Sequence, residues 1–313
     1  MAARKLFTII AVWAALMFIC ALFGEVAVAS GVGTTSADFL NIGVGGRATG
    51  LGGAYTSVTN DVTAVYWNPG GLTEVKSAQV AFAHYAWYQD ISFDYFGVAL
   101  PAGEKLTLAA GAAYVNYGTI EGYDINDNAT GELASTFNMA ASVSLGFSLT
   151  DNLSLGATGK YIMISLAGYD ATAAAADFGL KYRVGGVSLG LAVANLGQNL
   201  KFNQEEDKLP TVVRGGLAFY PLASALVVAI EAEKFLDGDL AVKNGLEYRY
   251  DRYFVRGGYS YYPDRDTDKL GQGFSFGVGA VLGRAQLDYT YSPDNRISTE
   301  NIHKFSVMFS FGH

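Results

Sequence analysis

The chain contains few cysteine and histidine residues, which many catalytic and metal-binding sites need. Its 313 residues include one cysteine, Cys20, and three histidines. A single cysteine excludes a disulfide framework within the chain and a cluster of thiolate metal ligands. Acidic residues outnumber basic ones by 29 to 21, for a formal net charge of −8. This acidic excess argues against a nucleic-acid partner, whose phosphates need a basic face.

Long apolar runs are also scarce, and the clearest one stands at the N-terminus. There, Arg4 and Lys5 precede an apolar core, and the small residues Ala27-Val28-Ala29 follow it. This order is typical of a secretory signal peptide. We therefore predict that residues 1–29 are a signal peptide cleaved after Ala29, which also removes Cys20. Beyond it, no run approaches the ~20 apolar residues that a membrane helix needs.

Short strand patterns fill the rest of an apolar and aromatic sequence. Half of the residues are hydrophobic, with 20 tyrosines and 19 phenylalanines. Backbone groups in lipid must pair internally, which only helices and closed barrels achieve. The sequence thus predicts an all-β transmembrane antiparallel β-barrel of about 14 strands, in contact with outer-membrane lipids. The candidate strands are 78–88, 91–100, 106–122, 135–149, 153–168, 171–184, 187–196, 211–220, 225–235, 240–250, 253–262, 271–282, 284–292 and 302–311.

The connections between these strands differ in length according to their position. A soluble sandwich would also alternate apolar and polar residues, so alternation alone leaves that fold open. However, turns after even-numbered strands are short, as at Gly185-Gly186 and Asp251-Arg252. Most connections after odd-numbered strands are longer and polar, as at 123–134, 197–210 and 263–270. Tight turns at one rim and long loops at the other are typical of outer-membrane barrels, and they place both termini at the periplasmic rim.

Charges of both signs occupy the strand face that we predict to line the lumen. In strand 240–250, Leu246 and Tyr248 share one face, whereas Lys243 and Glu247 share the other. Such a balanced set predicts a salt-bridged filling rather than an open apolar tunnel. The aromatic groups Tyr85-Trp87-Tyr88 and Tyr259-Tyr261-Tyr262 are predicted to lie in interfacial girdles. The predicted lumen-facing charges are Asp177, Lys181, Arg183, Arg214, Glu231, Glu233, Lys243, Glu247, Arg249, Arg256 and Asp288.

A glycine-rich segment precedes the strands, and we predict that residues 30–77 form a hatch inside the barrel of residues 78–313. Glycine lets the backbone approach other chain segments closely. Arg47 is the only basic residue between Ser30 and Glu74. Inside the lumen it would need an acidic partner from the wall, because an unpaired buried charge is costly; alternatively, it binds an anionic ligand head group. Asp61 is expected to cap a short helix, 62–67, that ends before Pro69. The candidate hatch residues are Arg47, Tyr55, Asp61, Tyr66, Trp67, Asn68 and Pro69.

No motif in the sequence indicates catalysis or a bound cofactor. Residues 43–53 lack the G-x-G-x-x-G spacing of a dinucleotide loop. Residues 124–128 begin like a calcium loop, yet Ala129 and Ser135 replace its glycine and its final glutamate. The three histidines have no partner at a recognisable spacing. We therefore predict a protein that is not an enzyme, with no catalytic residue, metal or cofactor.

The glycine-rich segment resembles the N-terminal signature of the PorV/PorQ family, which is related to FadL-type outer-membrane barrels. Gly46 and Gly70 depart from that signature, since relatives usually carry Ala there. The matching residues are Phe39-Leu40, Ile42-Gly43, Gly45, Arg47-Ala48, Gly50, Gly52-Gly53-Ala54-Tyr55, Asp61, Ala64, Tyr66-Trp67-Asn68-Pro69 and Gly71-Leu72, followed later by Asn195-Leu196-Gly197, Leu209-Pro210-Thr211, Arg214 and Gly216.

The resemblance implies a fourteen-strand barrel with an inward-folded hatch and leaves two functions open. PorV-like members are partners in type IX secretion, and FadL-like relatives pass hydrophobic small molecules through the outer membrane. The balanced lumen charges favour an interaction or shuttle component of type IX-like protein secretion, with secreted cargo proteins or other secretion components as partners. The alternative is a FadL-like transporter of hydrophobic small molecules.

Overall fold

The computed structural model describes residues 37–86, 91–123, 128–166, 168–202, 205–221, 225–238, 240–262, 273–293 and 301–312. The predicted signal peptide with its cleavage site after Ala29, and the calcium-like loop at 124–127, lie outside these ranges. None of the helices in the described ranges is long and apolar enough to cross a membrane.

Fourteen strands close into an antiparallel barrel, which confirms the predicted fold class. Each barrel strand pairs with its neighbour along the chain, and the last strand pairs with the first, Ala78 lying opposite Phe311. Two further short strands form a separate hairpin between the seventh and eighth barrel strands. In chain order the strands are β1 (Ala78–Ala86), β2 (Ser92–Ala102), β3 (Leu106–Tyr123), β4 (Ala129–Ser148), β5 (Leu153–Leu166), β6 (Tyr169–Val184), β7 (Val187–Gly197), the hairpin β8 (Leu200–Phe202) and β9 (Glu205–Asp207), then β10 (Val212–Phe219), β11 (Leu226–Phe235), β12 (Leu240–Tyr250), β13 (Tyr253–Tyr261), β14 (Phe274–Leu282), β15 (Ala285–Pro293) and β16 (Asn301–Phe311).

The two faces of the wall differ in polarity, because successive side chains of a strand point to opposite faces. On the outward face, Phe96, Val143 and Phe276 are 52%, 68% and 59% exposed. On the inward face, Lys243 and Glu247 of β12 are buried. The wall therefore places an apolar surface outside and charged groups inside, which is the alternation that a membrane barrel requires.

Strands β3 to β6 are longer than the others. They have 14 to 20 residues, whereas about 9–11 suffice for a membrane-spanning strand. Short turns join β2 to β3, β4 to β5 and β6 to β7, so the additional length lies at the long-loop rim. The sequence pattern started β4 at Ser135, six residues too late, and it missed the hairpin of β8 and β9, whose three-residue strands are too short to show alternation.

Four short helices in the described part of the hatch lie inside the barrel, and most of their residues are buried. They are α1 (Asp38–Asn41), α2 (Gly46–Gly50), α3 (Ala64–Trp67) and α4 (Pro69–Glu74). Helix α2 contacts β13 to β16, and α4 contacts β3 to β6. The segment therefore crosses the lumen from one wall to the opposite one. Helix α3 begins two residues later than predicted, although Asp61 Oδ1 still accepts the amide of Thr63 at 2.9 Å.

Candidate functional site

Glycines on the inward face of the wall allow the hatch backbone to contact the wall backbone. A Cβ atom added at Gly258 of β13 would lie 2.0 Å from the amide nitrogen of Gly52. One added at Gly156 of β5 would lie 2.2 Å from the carbonyl carbon of Pro69. No side chain fits at either position. Glycine inside a strand is a known mark of close backbone approach, so these two glycines carry a sequence signal for the contact between hatch and wall.

Arg47 of α2 bonds to the wall through a two-point contact with Glu247 of β12. Its Nε and Nη2 atoms each donate to that carboxylate at 2.8 Å, and its Nη1 donates to Asn60 at 2.7 Å. Arg256 of β13 donates to the same carboxylate at 2.6 Å and to Asp288 of β15 at 2.6 Å. All three guanidinium nitrogens of Arg47 are thus used, which argues against the alternative that Arg47 holds an anionic ligand.

Tyr55 and Asp61 extend this contact within the hatch. The Tyr55 hydroxyl donates to Asp61 Oδ2 at 2.5 Å and accepts from Arg47 at 3.2 Å. Burial raises the pKa of the Tyr55 hydroxyl well above its usual value, so the group remains a donor. Burial works against the charge of Arg47, but Glu247 and the neighbouring anions outweigh it and raise the Arg47 pKa. Both groups therefore stay protonated, and the contact persists.

A second ionic cluster lies on the neighbouring strands and faces the hatch aromatic pair. Glu233 of β11 accepts from Arg214 Nε at 2.8 Å and from Lys243 Nζ at 2.6 Å. The Arg214 guanidinium lies 5.3 Å from the Tyr66 ring centre and 5.5 Å from that of Trp67, within cation–π range. We call the inward charges of β10 to β15 the charged sector: Arg214, Glu231, Glu233, Lys243, Glu247, Arg256 and Asp288.

Three further predicted lumen charges bind the hatch directly. Glu231 of β11 accepts the backbone amide of Thr56 at 2.7 Å. Glu74, at the end of α4, pairs with Lys181 at 3.2 Å and with Arg183 at 2.9 Å, both on β6. These contacts tie the hatch to two different parts of the wall.

The stretch from Tyr66 to Pro69 folds the hatch on itself. Trp67 Nε1 donates to the carbonyl of Val44 at 2.8 Å. Asn68 Nδ2 donates to the carbonyl of Leu180 at 3.0 Å, and Asn68 Oδ1 accepts the amide of Gly70 at 3.0 Å. Pro69 begins α4, where its missing N–H costs nothing. Residues 66–69 thus form a turn of the hatch and also contact the wall.

Two sequence interpretations are wrong, and one partner was missed. The alternation of β12 directs Arg249 toward the lumen. However, Arg249 lies at the end of the strand, where it is exposed and donates to the Asp251 carbonyl at 2.9 Å. Tyr85 is fully buried instead of lying in a girdle, and it accepts the Gly45 amide at 2.6 Å. Asp177 is buried as predicted for a lumen position, and it pairs with Lys160 at 2.6 Å. The alternation pattern did not identify Lys160 as a lumen-facing charge, because apolar residues surround it on β5.

A small apolar cavity of about 30 Å³ lies between the hatch and strands β2 to β5. This volume holds one or two water molecules. The cavity borders a cluster of buried side chains that Leu200 and Leu209 of the long β7–β10 connection also join. We call the inward residues of this region the apolar sector: Ala83, Tyr85, Phe93, Tyr95, Val115, Ala140, Ile162, Ile164, Ala171 and Ala173.

A polar cavity of about 490 Å³ opens at the short-turn rim. Glu74, Lys181 and Arg183 line it together with Asn60 and Lys76. Its two wall cations already share Glu74, so the cavity offers little uncompensated charge. In the described part of the chain, no three His, Cys, Asp or Glu side chains come together as a metal site.

Comparison with known proteins shows which fold this barrel has. No family model and no curated protein matches the chain. Among solved structures it is similar to the Pseudomonas putida toluene transporter TodX, with TM-score 0.63 and 14% identity over 86% of this chain and 98% of that one. The Ralstonia pickettii toluene transporter TbuX gives TM-score 0.57 and 15% identity, covering 86% and 99%.

A FadL homologue of Pseudomonas aeruginosa gives TM-score 0.55 and 11% identity, covering 86% of this chain and 98% of that one. At such low identities the likeness establishes a shared fold. The chain therefore has the FadL-type barrel fold. The predicted PorV/PorQ resemblance has no counterpart among these three structures.

Proposed function

We propose that the protein is an outer-membrane transporter of small hydrophobic compounds. In this proposal residues 1–29 are removed as a signal peptide, the fourteen strands cross the membrane, and residues 30–77 form the hatch that controls passage. The apolar outward face supports the membrane location. The observation that carries the function is the apolar cavity between hatch and wall, inside a barrel that has the fold of two toluene transporters.

The apolar sector offers the route. Leu200 and Leu209 of the β7–β10 connection belong to the same buried cluster, and the cavity lies beside Phe39 and Phe93. An apolar wall favours an apolar solute without directional contacts. Since the cavity is smaller than such a solute, the hatch residues near Phe39 must move during passage. The charged sector and the pairs of Glu74 with β6 hold the remainder of the hatch in place meanwhile.

A second candidate is the interaction role in type IX-like secretion, with cargo proteins or other secretion components as partners. The observation that favours it is the filled lumen, in which buried ion pairs hold the hatch. The fold likeness to hydrophobic-compound transporters outweighs this observation, so we place the interaction role second.

Uptake of toluene by intact cells tests the proposal. Cells that produce the full chain are compared with cells that lack it and with two variants on β3. Ala113 lines the cavity, whereas Ala112 pairs with the exposed Phe96 and points outward. We expect Ala113→Trp to fill the cavity and abolish most of the uptake, and Ala112→Trp to leave it unchanged.

Equal uptake by cells with and without the protein would overturn the proposal. A pull-down of the intact barrel, with mass spectrometry of its bound lipids, then distinguishes the second candidate. Recovery of secretion components with an empty lumen would support the interaction role. Recovery of stoichiometric hydrophobic compounds without a protein partner would support transport.

A further inference from the structure

One residue that lines the apolar cavity has a buried hydroxyl that the fold does not use. Tyr95 of β2 lines the cavity and is 4% exposed. Its hydroxyl is buried and has no hydrogen-bond partner among the residues that the structure describes. A buried unpaired hydroxyl is destabilising, and phenylalanine at this position would avoid the penalty.

Packing accounts for the Tyr95 ring but not for its hydroxyl. The ring lies against Gly97 and Gly111, which face each other across β2 and β3. A Cβ atom added at either glycine would lie 2.8 or 2.9 Å from the Tyr95 oxygen. The two glycines therefore leave space for the ring and its hydroxyl, but they give the hydroxyl no hydrogen-bond partner. A phenylalanine ring would fill the same space.

The charged group nearest to the cavity is not available to a ligand. Lys160 lines the cavity, but its ammonium pairs with Asp177 at 2.6 Å and donates to Asn195 at 2.8 Å. Asp177 in turn accepts the Asn195 amide at 2.8 Å. The lysine charge is neutralised inside the wall, so the cavity does not offer the cation that a carboxylate ligand would need.

We propose that this cavity, widened by the movement of the hatch near Phe39 that passage requires, binds uncharged hydrophobic compounds that carry one hydrogen-bond acceptor, and that the Tyr95 hydroxyl donates to that acceptor. The inference rests on the proposed transport function and names its substrate class. A phenol or an aryl ether has the required oxygen on an apolar body. A plain hydrocarbon would contact the same apolar walls but would leave the hydroxyl unpaired.

Equilibrium binding to the purified full-length barrel tests this inference with toluene and 4-methylphenol as probes. The ratio of the two dissociation constants is compared between variants, so the different water solubilities of the probes cancel. A net neutral hydrogen bond corresponds to about fivefold in affinity. We expect Tyr95→Phe to reduce the preference for 4-methylphenol about fivefold and to leave toluene binding intact. The control is Tyr161→Phe on β5, whose ring is 51% exposed on the outward face.

A second comparison needs only the wild-type protein and shows the direction of the hydrogen bond. 4-Methylanisole accepts a hydrogen bond but cannot donate one, and 4-ethyltoluene has nearly the same shape. After correction for partition into octanol, we expect 4-methylanisole to bind more tightly. Equal binding would overturn the donor role of Tyr95.

The outcomes separate this inference from the proposed function. If both probes bind and Tyr95→Phe leaves their ratio unchanged, the substrate class is wrong while transport stands. A ratio that falls equally in Tyr161→Phe would also overturn the inference, because the effect would not be local to the cavity. If neither probe binds the wild-type barrel and toluene uptake is absent, both proposals fail.

Discussion

The two sides of the lumen hold the same hatch by different forces. The charged sector uses short, directional bonds, such as those of Glu247 with Arg47 and Arg256. Apart from the Tyr85 hydroxyl, which accepts the Gly45 amide, the apolar sector uses contacts among alanine, isoleucine and aromatic side chains, which have no preferred direction. Charge-assisted bonds define one position, whereas apolar surfaces tolerate sliding. The comparison indicates that the hatch is fixed beside β10 to β15 and, through Glu74, beside β6, whereas α1 next to the apolar sector can move.

The largest expected effect comes from Glu247→Ala in the charged sector. The substitution leaves Arg47 and Arg256 buried without their shared carboxylate, and such a loss costs about 3–5 kcal/mol. We expect the hatch to be released, which native-state proteolysis of residues 38–72 and single-channel conductance would detect. Asp237→Ala is the control, because its pair with Lys208 is exposed and is worth about 1 kcal/mol or less. Similar proteolysis rates in both variants would contradict a fixed charged side.

Tyr55→Phe tests the attachment of the hatch on the same side of the lumen, with a smaller expected effect. It removes a hydroxyl that bonds to Asp61 and Arg47, and bonds to charged groups contribute about 1.5–3 kcal/mol. Because the folded-state pKa of Tyr55 is raised, its contribution is present below its unfolded pKa of about 10 and is lost as the pH rises through the folded value. Proteolysis should therefore distinguish wild type from variant at pH 8. A difference that grows between pH 8 and pH 11 would refute this assignment.

Gly258→Val tests the backbone contact between hatch and wall. Its side chain would meet the Gly52 amide, and overpacking of this kind costs about 1–3 kcal/mol. We expect faster proteolysis of the hatch in a barrel that still folds, as judged by its heat-modifiable band on a gel. Gly257→Val is the matched control, since nothing lies within 4 Å of a Cβ added there. An equal response of the two variants would mean that the hatch does not rest on Gly258.

The smallest effect is expected from Ile162→Val in the apolar sector. Ile162 is fully buried, and the loss of one methylene from such a site costs about 0.5–1.5 kcal/mol. Because only α1 beside the apolar sector is expected to move, conductance should stay at the wild-type level while toluene uptake changes modestly. A large leak through this variant would show that the apolar side also fixes the hatch.

The wall was predictable because its residues follow a period of two. The alternation around Leu246 and Glu247 places each side chain on one face, and short turns fix the register. The alternation of inward and outward positions alone did not predict which side chains are buried at the strand ends. Arg249 has the inward parity but lies at the rim, and Tyr85 lies in a strand whose repeated alanines hide which face is buried.

The hatch and the cavity were harder to predict because their contacts join residues that are distant in the chain. The need of Arg47 for a wall carboxylate follows from charge alone, but five acidic residues were equivalent until the fold placed Glu247 beside it. The cavity joins side chains of the hatch and of four strands, and no local pattern links Phe39 with Tyr95. The inward glycines Gly156 and Gly258 were the unused signal, since a strand rarely carries glycine without a reason.

The path of the hatch also sets the order in which the protein assembles. Helix α4 contacts β3 to β6, which follow it closely in the chain, whereas α2 contacts β13 to β16. The Gly46 amide reaches Ser306 across 260 positions of sequence. Contacts of such separation form late, because a long loop must close first. The hatch therefore reaches its final position only when β16 joins β1, so a chain that stalls before β15 holds α4 against a partial wall and leaves α2 without its contacts to β15 and β16.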